Sequence, residues 1–116
     1  MSLLKTIDPN PTFAPRQSTP MAERLIAGSP TFKTWARDAA KDKVLTGVWG
    51  ATPGENRLIK GGISEFCPIL AGVIEITRDD GEPAVHRAGG SFAMKPGCTG
   101  VRKTIETGRK IHITVS

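Results

Sequence analysis

The sequence is short of several residue types that mark specialised proteins. Its 116 residues include two cysteines, two histidines, four phenylalanines, two tryptophans and no tyrosine. Two cysteines are too few for a disulfide framework, and neither lies in a C-x-x-C pair. No apolar run approaches the roughly 20 residues needed to cross a bilayer, and the chain start lacks the charged, hydrophobic and cleavage regions of a secretion signal. We therefore expect a cytoplasmic protein without a membrane partner.

The net charge of +5 and the pI near 9.6 raise the question of nucleic-acid binding. Proteins that bind phosphate backbones usually gather basic residues on one face or segment. Here Lys and Arg are scattered among Asp and Glu, and the few aromatic residues do not alternate with basic ones as a base-stacking surface requires. We expect a solvated basic surface and no nucleic-acid partner.

The chain divides near residue 43 into two parts of different composition. Five of the nine prolines lie in the first 43 residues, and proline at this density opposes long helices and central strands. We predict that residues 1–43 form an extended arm with short helical turns at Met21–Ala27 and Trp35–Lys41, packed on the main domain or on a dimer mate. From residue 44 to residue 116, short β-like runs alternate with turn signals, which predicts an all-β domain.

Eight strands are predicted in this second part: Val44–Trp49, Asn56–Lys60, Ser64–Ala71, Val73–Arg78, Glu82–His86, Ser91–Lys95, Thr99–Ile105 and Lys110–Val115. Asp80-Gly81 is a good hairpin signal because both residue types tolerate positive φ. Pro96-Gly97 and Thr107-Gly108 mark further turns. This number of short strands in one small domain favours a double-sheet jelly roll.

A series of short motifs runs from Gly47 to the C-terminus. In order they are Gly47-Val48-Trp49 with Pro53-Gly54, Glu65-Phe66 with Ile69-Leu70-Ala71-Gly72, Ile76-Thr77 with Asp80-Gly81, Ala88-Gly89, Pro96-Gly97 with Gly100, and Arg109-Lys110. In these residues the chain resembles the cupin superfamily, and among its members the small cupins related to ureidoglycine aminohydrolase and to the ethanolamine-utilisation protein EutQ. The resemblance implies a cupin-type (RmlC-like) double-stranded β-helix, or jelly-roll barrel, that works as a homodimer.

The first metal-binding motif of cupins has lost its histidines here. It usually reads G-x5-H-x-H-x3/4-E-x6-G, and Glu65 and Gly72 stand at the E-x6-G spacing. The two histidine positions fall on Leu58 and Lys60, or on Ile59 and Gly61 if the spacer is one residue shorter.

The second motif, usually G-x5-P-x-G-x2-H-x3-N, has lost its histidine as well. Lys95 stands at the proline position, Gly100 at the third histidine position and Thr104 at the asparagine position. Since a transition metal needs several N or O donors at once, the remaining carboxylate does not suffice to hold one. We predict a barrel without metal or other cofactor. A substitute zinc site of Glu65, Cys67 and Cys98 is an alternative, because thiolates suit zinc, but no known zinc-ligand spacing supports it.

Strand alternation turns these motif positions into a predicted pocket. Residues i and i+2 on a strand share a face. If Glu65 points into the barrel, Cys67 points in with it, and if residue 100 faces inward, Arg102 and Thr104 do so too. The apolar Val101 and Ile105 favour the opposite register, with Arg102 in solvent. Following the motif, we predict a substrate-binding pocket lined by Glu65, Arg102, Lys60, Cys67, Thr104 and Cys98, the last at its lip.

Three interpretations of this pocket stay open. In one, Glu65 and Arg102 form an internal salt bridge that replaces the metal, and the protein is a structural or regulatory dimer with a closed barrel. In the second, Arg102 and Lys60 bind a carboxylate or phosphate of a small polar metabolite, with Glu65 as a general base of raised pKa. The third, implied by the resemblance and opposed by the missing histidines, is a metal-dependent enzyme acting on a ureide or other nitrogen-containing metabolite. Whether the protein is an enzyme is left open.

Overall fold

The computed structural model describes residues 3–116, which form nine strands and one turn of 3-10 helix at Ala22–Arg24. The strands are β1 (Arg16–Ser18), β2 (Leu25–Gly28), β3 (Phe32–Ala40), β4 (Val44–Ala51), β5 (Gly54–Ile59), β6 (Ser64–Arg78), β7 (Ala84–Arg87), β8 (Ser91–Met94) and β9 (Thr99–Val115). Within this range no residue is in an α-helix, and no helix is long and apolar enough to cross a membrane.

The sheet is organised around β9, and every strand pair in it is antiparallel. The first half of β9 pairs with β5 and the second half with β4, while β6 pairs with β9 along nearly its whole length. On the other side of β6 lie β7 and β8. The strands β3 and β1 continue the sheet beyond β4, and β2 continues it beyond β5. This curled antiparallel sheet is a jelly-roll β-barrel, and the all-β fold predicted from the sequence is confirmed.

Two of the predicted breaks between strands, at Gly72 and at Thr107-Gly108, are wrong, because β6 and β9 continue through them as long strands. At Gly72, where φ is +82°, a Cβ atom would lie 2.3 Å from the carbonyl oxygen of Thr107. The pairing of β6 with β9 shifts register on both sides of this glycine. Thr107-Gly108 is therefore part of β9 and not a turn. Glycine here marks a close approach of two backbones at a bulge, which gives the same sequence signal as a turn.

Three strands before residue 43, namely β1, β2 and β3, belong to the same sheet as the rest of the chain. The helical turn predicted at Trp35–Lys41 is wrong, because these residues lie in β3 and the turn after it, and β3 pairs with β4. Lys41 and Asp42 both have positive φ, as a tight hairpin turn requires. Of Met21–Ala27, only Ala22–Arg24 is helical before β2 pairs with β5. The open edges of β4 and β5 supply hydrogen-bond partners that local propensity does not reveal.

Specific hydrogen bonds attach the N-terminal segment to the outer face of the sheet. The indole Nε1 of Trp35 donates to the carbonyl oxygen of Phe13 at 2.8 Å. Arg109 Nη1 donates to Asn10 Oδ1 at 3.0 Å and to the carbonyl oxygen of Pro9 at 3.3 Å. The Arg109 guanidinium also lies 5.1 Å from the centroid of the Trp35 ring. These contacts cover Trp35, which is 6% exposed.

The interior of the barrel combines apolar clusters with buried polar groups. One cluster contains Leu58, Cys67 and Met94, a second contains Ile69, Ile74 and Ile76, and Phe92 packs against both. Four polar side chains are also buried: Asn56, Glu65, Thr104 and Lys110. Burying such groups costs free energy unless they find partners, so their contacts define the site described next.

Candidate functional site

The inward face of β9 carries the residues that the cupin motif placed there. Thr104 is 3% exposed and Lys110 is 2% exposed, whereas Ile105 on the opposite face is 42% exposed. The guanidinium of Arg102 lies against the inward-facing Trp49 ring. The motif register is therefore right, and the register suggested by Val101 and Ile105 is wrong. Apolar alternation misleads here because the interior of this barrel holds charged groups.

Glu65 is the centre of a buried charge cluster. Its Oε2 accepts a hydrogen bond from Lys110 Nζ at 3.0 Å and another from the Cys67 thiol at 3.1 Å. Its Oε1 accepts one from Lys60 Nζ at 2.5 Å. Both carboxylate oxygens are thus engaged by lysines. The predicted Glu65–Arg102 salt bridge is wrong, because two ammonium groups take the place assigned to Arg102.

These contacts set the protonation of the cluster. Burial by itself raises the pKa of Glu65, but the charge of Lys110 and the hydrogen bond and charge of Lys60 outweigh it and hold the pKa well below its usual value. Glu65 is ionised at neutral pH and is a weak base, so its predicted role as a general base of raised pKa is wrong. Burial also raises the pKa of the Cys67 thiol to about 11, although the charge of Lys110 opposes the rise. Cys67 therefore stays protonated.

Lys110 is the residue of this cluster that sequence reasoning missed. Its Nζ lies 4.5 Å from the centroid of the Trp49 ring and donates a hydrogen bond to Cys67 Sγ at 3.4 Å. The sequence does contain a signal for it, because Lys110 is an even number of residues from Arg102 and therefore lies on the same face of a continuous β9. The turn predicted at Thr107-Gly108 ended the strand and broke that alternation.

Arg102 lies beside this cluster without belonging to it. Its guanidinium carbon is 4.4 Å from the centroid of Trp49 and 5.2 Å from that of Phe32. Burial lowers the pKa of Arg102 to about 10, with the charge of Glu65 acting in the opposite direction, so the side chain is cationic at neutral pH. Its Nε atom is buried and has no hydrogen-bond partner among the described residues. An unpaired buried donor on a charged group is costly, and this marks Arg102 as a candidate for contact with a ligand.

A cavity of about 260 Å³ opens at Arg102. Lys60, Asn56 and Leu58 line it, together with Arg24 from the 3-10 turn. Its volume is just below that of a typical small-molecule pocket, so it suits a small metabolite.

The other predicted pocket residues lie elsewhere. Cys67 is part of the Glu65 cluster, and Thr104 is buried on β9. Cys98 is half-buried, packs against Leu58, Cys67 and Met94, and lines a separate cavity of about 170 Å³. The structure therefore brings Arg102 and Lys60 together at one cavity but does not bring all six predicted residues to it.

The residues at the cupin metal positions do not fit a metal centre. Residues 3–116 contain no group of three or more His, Cys, Asp or Glu side chains arranged to hold an ion. At the third histidine position, any side chain on Gly100 would place its Cβ atom 2.2 Å from the carbonyl oxygen of Thr77. The remaining motif ligand, Glu65, is already neutralised by Lys60 and Lys110. Two ammonium groups beside the carboxylate repel a cation.

The fold and the sequence together define a cupin. Residues 39–112 match the EutQ-like cupin domain family. The chain belongs to this family, which confirms both the predicted cupin fold and the predicted relation to EutQ. No curated protein matches the sequence.

Several solved structures share the fold. A protein of unknown function from Pseudomonas syringae pv. tomato is 18% identical with a TM-score of 0.83, covering 94% of this chain and 46% of that one. The EutQ protein of Clostridium difficile is 14% identical with a TM-score of 0.65, covering 74% and 63%. Ectoine synthase from P. lautus is 15% identical with a TM-score of 0.66, covering 72% and 63%. The chain thus spans less than two thirds of each, and at these identities the likeness shows the fold alone.

Proposed function

We propose that the barrel binds a small anionic metabolite without a metal, and that Arg102 receives its carboxylate or phosphate group. The observation that carries this proposal is the state of the Arg102 guanidinium. Aromatic rings lie within 5.2 Å of it, and its buried Nε lacks a partner among the described residues. Stacking holds a planar guanidinium in place while leaving its edge free, and that edge matches a carboxylate or phosphate in two parallel hydrogen bonds.

The charges around the cavity support an anion. The lining of the cavity contains no acidic residue. It contains four basic side chains, those of Arg24, Arg57, Lys60 and Arg102. Two of the four already have partners, since Arg57 pairs with Asp79 and Lys60 with Glu65. The cavity therefore keeps an uncompensated positive charge that an anionic ligand would neutralise.

Glu65 has a supporting role in this proposal. Its ionised carboxylate holds Lys60 at the cavity wall through the 2.5 Å contact between Nζ and Oε1. A binding function follows more directly from these groups than acid–base catalysis, because Glu65 is a poor proton acceptor at neutral pH. The cavity beside Arg102 also favours a binding function over a structural dimer with a closed barrel.

Isothermal titration calorimetry with inorganic phosphate, oxalate, succinate and citrate tests the proposal, with the neutral diamide of succinate as a control ligand. We expect at least one anion to bind and the diamide not to bind. Arg102→Gln should weaken binding by about 10-fold or more, as the loss of a charge-assisted hydrogen bond predicts. Arg87→Gln, an exposed change on β7 away from the cavity, should leave binding unchanged. Equal binding by wild type and Arg102→Gln would contradict the assignment.

The metal-dependent alternative is tested by elemental analysis of the purified protein. Stoichiometric manganese, zinc, iron or nickel would contradict a metal-free barrel. The proposal also includes a homodimer in the cytoplasm, since two-fold dimers are the commonest assemblies. Sedimentation equilibrium tests the dimer, and a monomer over the whole concentration range would contradict it.

A further inference from the structure

A second cavity is lined by the two residues, apart from Arg102, whose buried side-chain nitrogen atoms lack partners among the described residues. In residues 3–116, three buried side-chain nitrogen atoms have no hydrogen-bond partner: Nε of Arg37, Nε of Arg102 and Nδ1 of His112. The first and last belong to residues lining one cavity of about 670 Å³, whose lining does not include Arg102. Because buried donors and acceptors are rarely left unpaired, two such atoms on residues that line one cavity make it a candidate ligand site.

Arg37 is presented to this cavity by an irregularity of β3. The pairing of β3 with β4 shifts register between Ala36 and Asp38, so Arg37 is the bulged residue, and bulges commonly redirect a side chain. The Arg37 guanidinium carbon lies 5.1 Å from the centroid of the Phe13 ring. Like Arg102, it is stacked on an aromatic ring while its Nε is unsatisfied.

His112 reaches the cavity from β9, two residues after Lys110 and on the same face of the strand. Its ring packs against Gly47, where a Cβ atom would lie 2.7 Å from His112 Cε1. The glycine therefore makes room for the imidazole and fixes its position. Burial lowers the pKa of His112; Glu65 opposes this shift and Lys110 and Lys60 reinforce it. The ring is neutral at pH 7, so its Nδ1 offers a hydrogen bond without adding charge.

The lining of the cavity indicates the kind of ligand. It is mainly apolar, with Leu45, Ala36 and Ala39 among its residues. Its charged groups are Lys5, Arg16, Arg37 and Asp38, and the Asp38 carboxylate lies 4.0 Å from Lys5 Nζ. The net charge of these groups is therefore positive, and the mainly apolar surface between them suits a ligand with an apolar body and an anionic group.

We propose that this cavity is a second ligand site, which takes a small carboxylic acid with an apolar body. The carboxylate lies on Arg37, His112 Nδ1 makes a hydrogen bond to the ligand, and the apolar body packs against Leu45 and its neighbours. The site is independent of the function proposed for Arg102, because the two cavities share no lining residue.

Titration with 4-(trifluoromethyl)benzoate, followed by ¹⁹F NMR and by protein amide shifts, tests this proposal. The matched neutral probe is 4-(trifluoromethyl)benzamide. We expect the benzoate to bind about 10-fold or more tightly than the benzamide, with the largest amide shifts at Thr46 and Thr114, which line the cavity. Arg37→Gln should weaken benzoate binding about 10-fold, and His112→Gln should weaken it by a smaller factor.

The variants distinguish this site from the first one. Arg102→Gln should leave benzoate binding unchanged, and Arg37→Gln should leave the binding of phosphate or citrate unchanged. Arg37→Gln alone suffices if His112→Gln fails to fold, provided that the amide spectrum of Arg37→Gln remains native. Equal affinity for benzoate and benzamide, unchanged benzoate binding by a folded Arg37→Gln variant, or amide shifts centred on Arg102 would each overturn the proposal.

Discussion

Replacing Lys110 by Met removes the most buried charge of the barrel while keeping a side chain of similar length. In the structure Lys110 is 2% exposed, and its Nζ lies 3.0 Å from Glu65 Oε2. Breaking a buried ion pair by removing one partner costs about 3–5 kcal/mol, because the other charge is left uncompensated. Lys60 still pairs with Glu65, and Met keeps the contact with Trp49, so we expect the lower end of this range, about 3 kcal/mol.

Urea unfolding followed by tryptophan fluorescence measures this loss. With an m value of about 1.5 kcal/mol/M for a chain of this size, the midpoint should fall by about 2 M. Adding Glu65→Gln removes the stranded carboxylate, so the double variant should lose less than the sum of the two single changes, by about 1 kcal/mol or more. Lys103→Met is the control, because Lys103 is half-exposed and its ion pair with Glu55 is long, with 3.7 Å between Nζ and Oε1. Exposed ion pairs contribute little to stability, so we expect a change within about 0.5 kcal/mol. A Lys110→Met variant within about 1 kcal/mol of wild type, or strictly additive changes, would refute the reasoning.

Four other predictions follow from the same contacts. The pKa of Glu65 is lower in the folded chain than its ordinary value of 4.5, so its stabilising effect is complete above that pH and is lost as the pH falls below it; acid titration of the unfolding free energy should show a shallower slope for Glu65→Gln. Arg102→Leu should change stability by less than about 1 kcal/mol, since it removes a buried unpaired cation along with its stacking, and a loss of several kcal/mol in urea unfolding would contradict this. Ellman's reagent should modify half-buried Cys98 readily but Cys67, whose pKa is about 11, only after unfolding; two equally fast thiols would be inconsistent with the buried cluster. Gly72→Ala should lower the urea midpoint by the equivalent of about 3 kcal/mol or more, because its Cβ atom meets a backbone carbonyl at 2.3 Å at positive φ, and a wild-type midpoint would argue against the close crossing of β6 and β9.

The sequence allowed the barrel to be predicted because its turns are chemically distinct. The turn at Asp80-Gly81 lies between β6 and β7, where Gly81 N donates to the carbonyl oxygen of Arg78 at 3.1 Å. The turn predictions are wrong where a glycine is required for a reason other than a turn. Gly72 and Gly108 carry the same local signal, but they are set by the approach of a strand distant in sequence. The helical turn predicted at Trp35–Lys41 is wrong for a related reason, because the pairing of β3 with β4 depends on an edge strand that local patterns do not describe.

The candidate site shows the same division between local and distant information. Starting from the motif position at Gly100, side-chain alternation correctly placed Arg102 and Thr104 on the inner face, because side chains point to alternate faces along one strand. The partner of Glu65 was beyond that reasoning, since it depends on how β6 is registered against β9. In that register Ile69 lies opposite Lys110 and Glu65 lies opposite Thr114 on the adjacent strand, so the long Lys110 side chain reaches Glu65 along the inner face that the two strands share.

The crossing at Gly100 limits how this cupin could change. Any side chain there would meet the Thr77 carbonyl at 2.2 Å, so a histidine introduced at that position has no room unless β6 moves away from β9. Lys60 and Lys110 would have to be replaced in the same variant to free Glu65 for a cation. Recovery of a metal centre would thus require several coordinated substitutions and a shift of the backbone. For protein engineers, the chain is therefore a poor starting point for a metallo-cupin.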